Sequence, residues 1–164
     1  MEKLKILVTG GAGFIGSHAV KKLIDDGYAV VIADNLNNYY SQKLKRDRLK
    51  IFLKGYKFDF VKIDIGNYKN LKKIFLKYKF NSVLHLAAQA GVRYSLQNPF
   101  AYEKSNILGT LNILELAKEF NVSEATVVEL RSHHKGWGEV AISLALAEHL
   151  SATSKTSDNE LTME

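Results

Sequence analysis

The sequence predicts an α/β fold, a Rossmann-type doubly wound parallel sheet, and three observations carry that prediction. Short apolar, β-branched runs alternate with amphipathic helical stretches from Lys5 to Phe120. The first run enters Gly10-Gly-Ala-Gly-Phe-Ile-Gly16, a glycine-spaced turn, and a helix follows at once. Polar residues gather just past the carboxyl ends of the runs, where a parallel sheet of this kind takes its ligands.

Lys5 to Val8 reads as a buried strand. Phe14 to Asp26 reads as a helix with Phe14, Ile15, Ala19, Val20 and Leu23 on its apolar side, and Tyr28 to Ala33 as a second strand. Gly10, Gly13 and Gly16 each lack a side chain for a reason. The first allows a tight turn off the strand, the second lets backbone N–H groups approach a pyrophosphate, and the third lets helix and strand pack closely. The phosphates would then meet the unpaired amides and positive dipole end of the helix. The second strand ends in Asp34, 24 residues after Gly10, placed to accept hydrogen bonds from the adenosine ribose. An anion there repels a 2′-phosphate, so the reading is NAD rather than NADP.

After Asp34 comes the loop Asn35-Leu-Asn-Asn-Tyr-Tyr40, then a helix from Ser41 to about Leu53. Lys57 to Ile63 alternates as a third strand ending in Asp64, and Tyr68 to Tyr78 is a short helix. Asn81 to Ala87 is a fourth strand. Pro99, the only proline, precedes a helix from about Ala101 to Phe120. Such a sheet is covered on both faces.

With 164 residues and 46% hydrophobic content, the chain has a single-domain length and enough apolar residues for one core. The absence of cysteine, of a long apolar run and of a signal-like start leads to the expectation of a soluble cytoplasmic protein with no membrane partner. Residues 1–121 carry 20 Lys+Arg against 10 Asp+Glu, whereas residues 122–164 carry 3 against 7. The basic excess, on segments such as Lys43-Leu-Lys-Arg-Asp-Arg-Leu-Lys50, reads as solvated helix faces rather than a nucleic-acid surface. The change in character divides the chain into an NAD-binding domain, 1–122, and a divergent tail, 123–164.

Gly10-Gly-Ala-Gly-Phe-Ile-Gly16, Asp34-Asn-Leu-Asn-Asn-Tyr-Tyr40 and His85-Leu-Ala-Ala-Gln-Ala-Gly-Val-Arg-Tyr-Ser-Leu96 occur in order at the separations of one family. Over residues 3–122 the chain resembles the NAD-dependent epimerase/dehydratase branch of the extended short-chain dehydrogenases/reductases, and among these the UDP-glucuronate 4-epimerases. The resemblance implies that Gly10, Gly13, Phe14, Ile15 and Gly16 hold the pyrophosphate and that Asp34, Asn35 and Asn37 hold the adenosine ribose. It implies that Asp64 and Ile65 flank the adenine, that Leu86, Ala87, Ala88 and Gln89 line the nicotinamide side, and that Asn106 supports the cofactor. Arg93 is either an anion-binding residue for a sugar nucleotide, which its planar fork suits, or a surface arginine beside a loop.

In the reaction the resemblance implies, a tyrosine phenolate takes the sugar hydroxyl proton while hydride passes to and from NAD, and a lysine four residues on lowers the tyrosine's pKa. All eight tyrosines lie at or before Tyr102, so the expected one, some thirty residues past Asn121, has no counterpart here. Tyr39 with Lys43 and Tyr68 with Lys72 match Tyr-x-x-x-Lys by chance spacing only. Ser151 and Lys155 echo the motif, and Ser132 stands as a displaced candidate for the family's serine, leaving Ser132 and Lys155 as the catalytic candidates. His133, His134 and His149 lack ligand spacing, so no metal is expected.

Thr126 to Leu130 reads as a fifth strand and Glu139 to Leu150 as a helix, with the residues after about Thr153 mobile. If that strand and helix fail to cover the sheet, a second copy of the chain would, giving a homodimer. The expectation is thus a sheet truncated after about its fifth strand, with the substrate half absent: the NAD-binding half of a UDP-sugar 4-epimerase, catalytically incomplete. A dehydratase or reductase of the same family, or a non-catalytic dinucleotide-binding module, stands as the alternative.

Overall fold

The structure is a computed structural model that describes residues 3–122. Four strands, β1 (Lys5–Thr9), β2 (Ala29–Asp34), β3 (Phe58–Lys62) and β4 (Ser82–His85), form one parallel sheet in the order β3-β2-β1-β4. Ile6 stands between Val30 of β2 and Ser82 of β4, and Val30 pairs in turn with Phe58 of β3. The chain thus builds outward from β1 in one direction and then returns to its other side. The carboxyl ends of β1 and β4 therefore diverge at a topological switch point, where doubly wound sheets open a crevice.

Alternation along the strands divides the core. Leu7, Val31 and Ala33 face Leu71, Ile74 and Phe75 of α3 (Tyr68–Tyr78) and Ile113, Leu116 and Ala117 of α6 (Gly109–Glu119). Ile6, Val8, Val30 and Ile32 face the opposite way, onto Val20 of α1 (Phe14–Asp25) and onto Leu53. Both faces are covered, as the short β-branched runs require.

The helix starts have local causes. Ser41 Oγ accepts from the Leu44 amide at 3.4 Å, capping α2 (Gln42–Asp47), which continues as a π-helical turn over Arg48–Phe52. Asn67 Oδ1 accepts from Asn70 N at 3.1 Å at the head of α3. Asn98 Oδ1 accepts from Ala101 N at 3.3 Å, with Pro99 in the first position of α5 (Pro99–Tyr102).

Four expectations need correction. The helix after Pro99 begins at the proline itself and passes through a π-helical stretch, Glu103–Leu108, before α6. An unexpected helix, α4 (Val92–Gln97), precedes it, because Gly91 and Asn98 bracket a segment too short to show periodicity. β4 stops at His85 rather than Ala87, since the Leu86 amide is shared between Thr9 O and Thr9 Oγ1 and the Ala87 amide turns to Thr9 Oγ1. In α1, Phe14 and Ile15 are exposed, and Gly16, Ser17 and Val20 form the buried side, because Gly16 lies directly against the preceding turn. The expected strand at 126–130, the helix at 139–150, the mobile end, and Ser132, His133, His134, His149, Ser151 and Lys155 lie outside the described residues. Among the described residues, no helix is long and apolar enough to cross a membrane, and no cluster of potential metal ligands occurs.

Candidate functional site

A cavity of about 430 Å³ opens beyond the carboxyl ends of β1, β2 and β4. Its floor is the glycine turn. Gly10 adopts φ 70°, a conformation open to glycine, and donates its N–H to Ala33 O at 2.8 Å, tying the turn to the end of β2. A Cβ on Gly10 would stand 2.8 Å from Ala87 N, and one on Gly16 would stand 2.2 Å from Gly10 O. A side chain at either position would force β1 away from the β4 loop or from α1. Gly13 N donates to Gly10 O at 2.9 Å, so this amide closes the turn and is not aimed into the cavity. The amides of Phe14, Ile15 and Gly16 open the helix and have no intrahelical acceptor.

Asp34 is nearly buried at the end of β2. Its Oδ2 accepts from Ala12 N at 3.2 Å and its Oδ1 from Leu36 N at 2.8 Å, which fixes the carboxylate beside the glycine turn with lone pairs left over for a ligand. Among the described residues, Leu36, Lys79 and Asn121 are the non-glycine residues with positive φ, and at Leu36 the loop turns sharply. The turn carries Asn35 and Asn37 along the cavity wall, with Asn37 N donating to Asn35 Oδ1 at 2.9 Å.

The far wall is α2. Ser41, Leu44, Lys45 and Arg48, one helical stripe at i, i+3, i+4, i+7, all line the cavity. Lys45 is nearly buried and donates from Nζ to Asn37 O at 3.0 Å and to Asn37 Oδ1 at 2.7 Å. Burial pushes its pKa down, a shift that Asp34 opposes and Arg48 reinforces. Arg48 donates to Ala12 O at 3.4 Å, and its guanidinium carbon lies 6.0 Å from the centre of the Phe14 ring. These two cations correct the reading of the Lys43–Lys50 segment as a merely solvated face. The stripe itself was the available signal.

Ile63, Ile65 and the segment Leu86–Gln89 complete the cavity. The segment is clamped at both ends. Thr9 Oγ1 accepts from the amides of Leu86 and Ala87, both at 3.1 Å, while Asn106 Oδ1 accepts from Gln89 N at 2.7 Å and Asn106 Nδ2 donates to Gln89 O at 3.0 Å.

Of the residues singled out in the sequence, Gly10, Gly13, Phe14, Asp34, Asn35, Asn37, Ile65, Leu86, Ala87, Ala88 and Gln89 come together around this cavity. The others among the described residues do not line it. The Ile15 side chain is exposed, Gly16 packs against Gly10, and Asn106 reaches the cavity only through its bonds to Gln89. Asp64 accepts from Gly66 N at 2.9 Å and pairs with Lys104 at 2.7 Å. Arg93 lies exposed on α4. Sequence reasoning missed Lys45 and Arg48, and also Tyr39 and Tyr40, which line the mouth in an aromatic group with Tyr94. The chance status of the tyrosine–lysine pairs has a structural counterpart. Tyr68 and Lys72 both bond Glu119, joining α3 to α6, and Lys43 pairs with Asp47 on the surface.

Comparison with known proteins agrees with this geometry. The family model described as GDP-mannose 4,6 dehydratase matches residues 7–148. Protein CapI of Staphylococcus aureus is 52% identical over 119 residues, which cover 73% of this chain and 35% of that protein. The UDP-glucuronate 4-epimerase of Thermodesulfobacterium geofontis is 48% identical over 130 residues, covering 79% of this chain and 40% of that protein. Among solved structures, a UDP-glucuronic acid 4-epimerase from Bacillus cereus, in complex with UDP-glucuronic acid and NAD, matches with TM-score 0.62 and 38% identity over 70% of this chain and 36% of its own. The UDP-glucose 4-epimerase of Thermus thermophilus, in complex with NAD, matches with TM-score 0.62 and 33% identity over 73% and 35%. The chain therefore spans between about a third and two fifths of the length of these relatives. A glycine turn at the switch point of a parallel sheet, an anchored Asp34 and these matches lead to one conclusion: the chain belongs to the GDP-mannose 4,6 dehydratase family of nucleotide-sugar epimerases and dehydratases.

Proposed function

We propose that residues 3–122 bind NAD in the cavity at the strand ends, and that the chain is the cofactor-binding part of a nucleotide-sugar 4-epimerase whose substrate is UDP-glucuronate. The observation that carries the proposal is the pairing of the glycine turn with Asp34 across one cavity: a cradle that added Cβ atoms would disrupt, opening amides without acceptors, and a fixed carboxylate one strand away. NAD, when bound, accepts and returns a hydride. This chain's residues would do the holding: the amides of Phe14, Ile15 and Gly16 toward the pyrophosphate, above the turn made by Gly10 and Gly13, and Asp34, Asn35 and Asn37 toward the adenosine ribose. Ile65 with neighbouring Asp64 would flank the adenine, and Leu86–Gln89, braced by Asn106, would flank the nicotinamide. Arg93 would meet the sugar nucleotide.

An unperturbed phenol, pKa about 10, is a poor base at neutral pH, and the family's tyrosine has no counterpart in this chain after Tyr102. We infer that residues 1–164 alone bind the cofactor without turning over a sugar nucleotide, since general acid–base catalysis contributes roughly 10²–10⁴-fold. The experiment is direct: incubate the chain with NAD and UDP-glucuronate and assay UDP-galacturonate. No product is expected, and clear turnover would show that another group supplies the base, with Lys155 and Ser132 the first to replace. A 4,6-dehydratase parent is the second reading, favoured by the description of the matching family, and formation of a 4-keto-6-deoxy sugar nucleotide by a longer form of the protein would select it.

A further inference from the structure

Behind the cavity, a count of donors and acceptors fixes every proton in a chain of hydrogen bonds. Thr9 Oγ1 accepts from the Ala87 amide and from the Leu86 amide, which it shares with Thr9 O at 3.2 Å, so its single proton goes to His85 Nδ1, 2.6 Å away. Nδ1 is therefore bare, and the neutral ring carries its proton on Nε2, which faces Thr110 Oγ1 at 3.1 Å. The Thr110 proton is committed to Asn106 O at 2.8 Å. The Asn106 side chain then holds both backbone groups of Gln89. The ring is half-buried, and desolvation pushes its pKa down to about 4, so the neutral tautomer prevails at neutral pH.

Here each ring nitrogen meets a hydroxyl: that of Thr9 bonds the start of the segment Leu86–Gln89, which lines the cavity, and that of Thr110 bonds the backbone carbonyl of Asn106, the residue whose side chain holds the end of the segment. We infer that His85 is a positioning residue for the cofactor: as the Nε2–H tautomer it couples the clamp at Thr9 to the clamp at Asn106 and so sets the shape of Leu86–Gln89. The inference rests on the dinucleotide reading of the cavity.

The test reads amide exchange in the NAD-free chain and NAD affinity in the same samples. His85→Phe keeps a ring and removes both bonds, His85→Gln restores an acceptor and a donor, and Thr110→Val cuts only the Nε2 side without touching the cavity. ¹⁵N histidine spectra of the wild type should show His85 protonated on Nε2 alone. His85→Phe and Thr110→Val should each speed exchange at Gln89 N–H and weaken NAD binding by about tenfold, the effect of about one lost hydrogen bond. The double variant should bind no more weakly than His85→Phe, and His85→Gln should recover most of the affinity. Thr110→Val carries the same readouts if His85→Phe does not fold. Unchanged Gln89 exchange in a folded variant overturns the coupling, and altered exchange with unchanged NAD affinity overturns the positioning role. A wild-type chain that binds no NAD sinks the dinucleotide reading instead, while the exchange result still decides the coupling.

Discussion

On the proposed NAD reading, Asp34 is the residue that would set the preference between dinucleotides. Each of its oxygens already accepts a backbone amide, which holds the charge in place, yet Lys45 and Arg48 line the same cavity and would welcome a phosphate. On the proposed reading the carboxylate would prevail at the ribose, because the Lys45 ammonium is engaged with Asn37, whereas Asp34 stands at the strand end where an adenosine ribose would lie. Asp34→Asn sets an NH₂ against Ala12 N–H or Leu36 N–H, so it should cost about 1–3 kcal/mol of stability by urea titration while narrowing the ratio of NAD to NADP affinity. His85 gives a pH dependence. Its folded pKa, about 4, lies below the unfolded value of about 6.5, so the unfolded state takes up the proton first as pH falls. Its contribution is full above about pH 6.5, declines through that window and is gone by about pH 4. The loss is at most about 3 kcal/mol, and His85→Gln should flatten that part of a stability–pH curve. Asp34 was legible in the sequence as the acid that ends the second strand, 24 residues after Gly10. The Thr9–His85–Thr110 chain was not, because its partners are far apart in sequence and only the fold brings them together.

At the scale of elements, short apolar, β-branched runs alternating with helical stretches were enough to foresee the sheet and both its layers. What escaped was short or irregular. α4 has too few residues for a period, and the π-helical stretches at Arg48–Phe52 and Glu103–Leu108 leave no mark in a pattern built on 3.6 residues per turn. The layer of α3 and α6 centres on Phe75, fully buried, with Phe80 edge-on at 5.3 Å and Phe120 at 5.7 Å between ring centres. Phe75→Ala should therefore destabilise the chain by about 3–5 kcal/mol in chemical denaturation while leaving the cavity residues intact. A cost below about 1 kcal/mol would mean that this face is not the core described.

For the whole molecule, the order β3-β2-β1-β4 places the glycine turn, Asp34 and Leu86–Gln89 around one crevice, although they lie up to 79 positions apart in sequence. The basic excess over residues 1–121 belongs largely to helix surfaces, with Lys45 and Arg48 as its inward members. The central claim, a cavity that takes NAD through the glycine turn and Asp34, is tested most directly by the melting temperature of the chain with each dinucleotide. Ligand that binds the folded state alone must raise it. NAD should do so, NADP should do so far less, and Gly13→Val, whose side chain would occupy the cavity floor, should abolish the NAD effect. An equal rise with both dinucleotides would contradict the role of Asp34, and a rise that survives Gly13→Val would contradict the site itself.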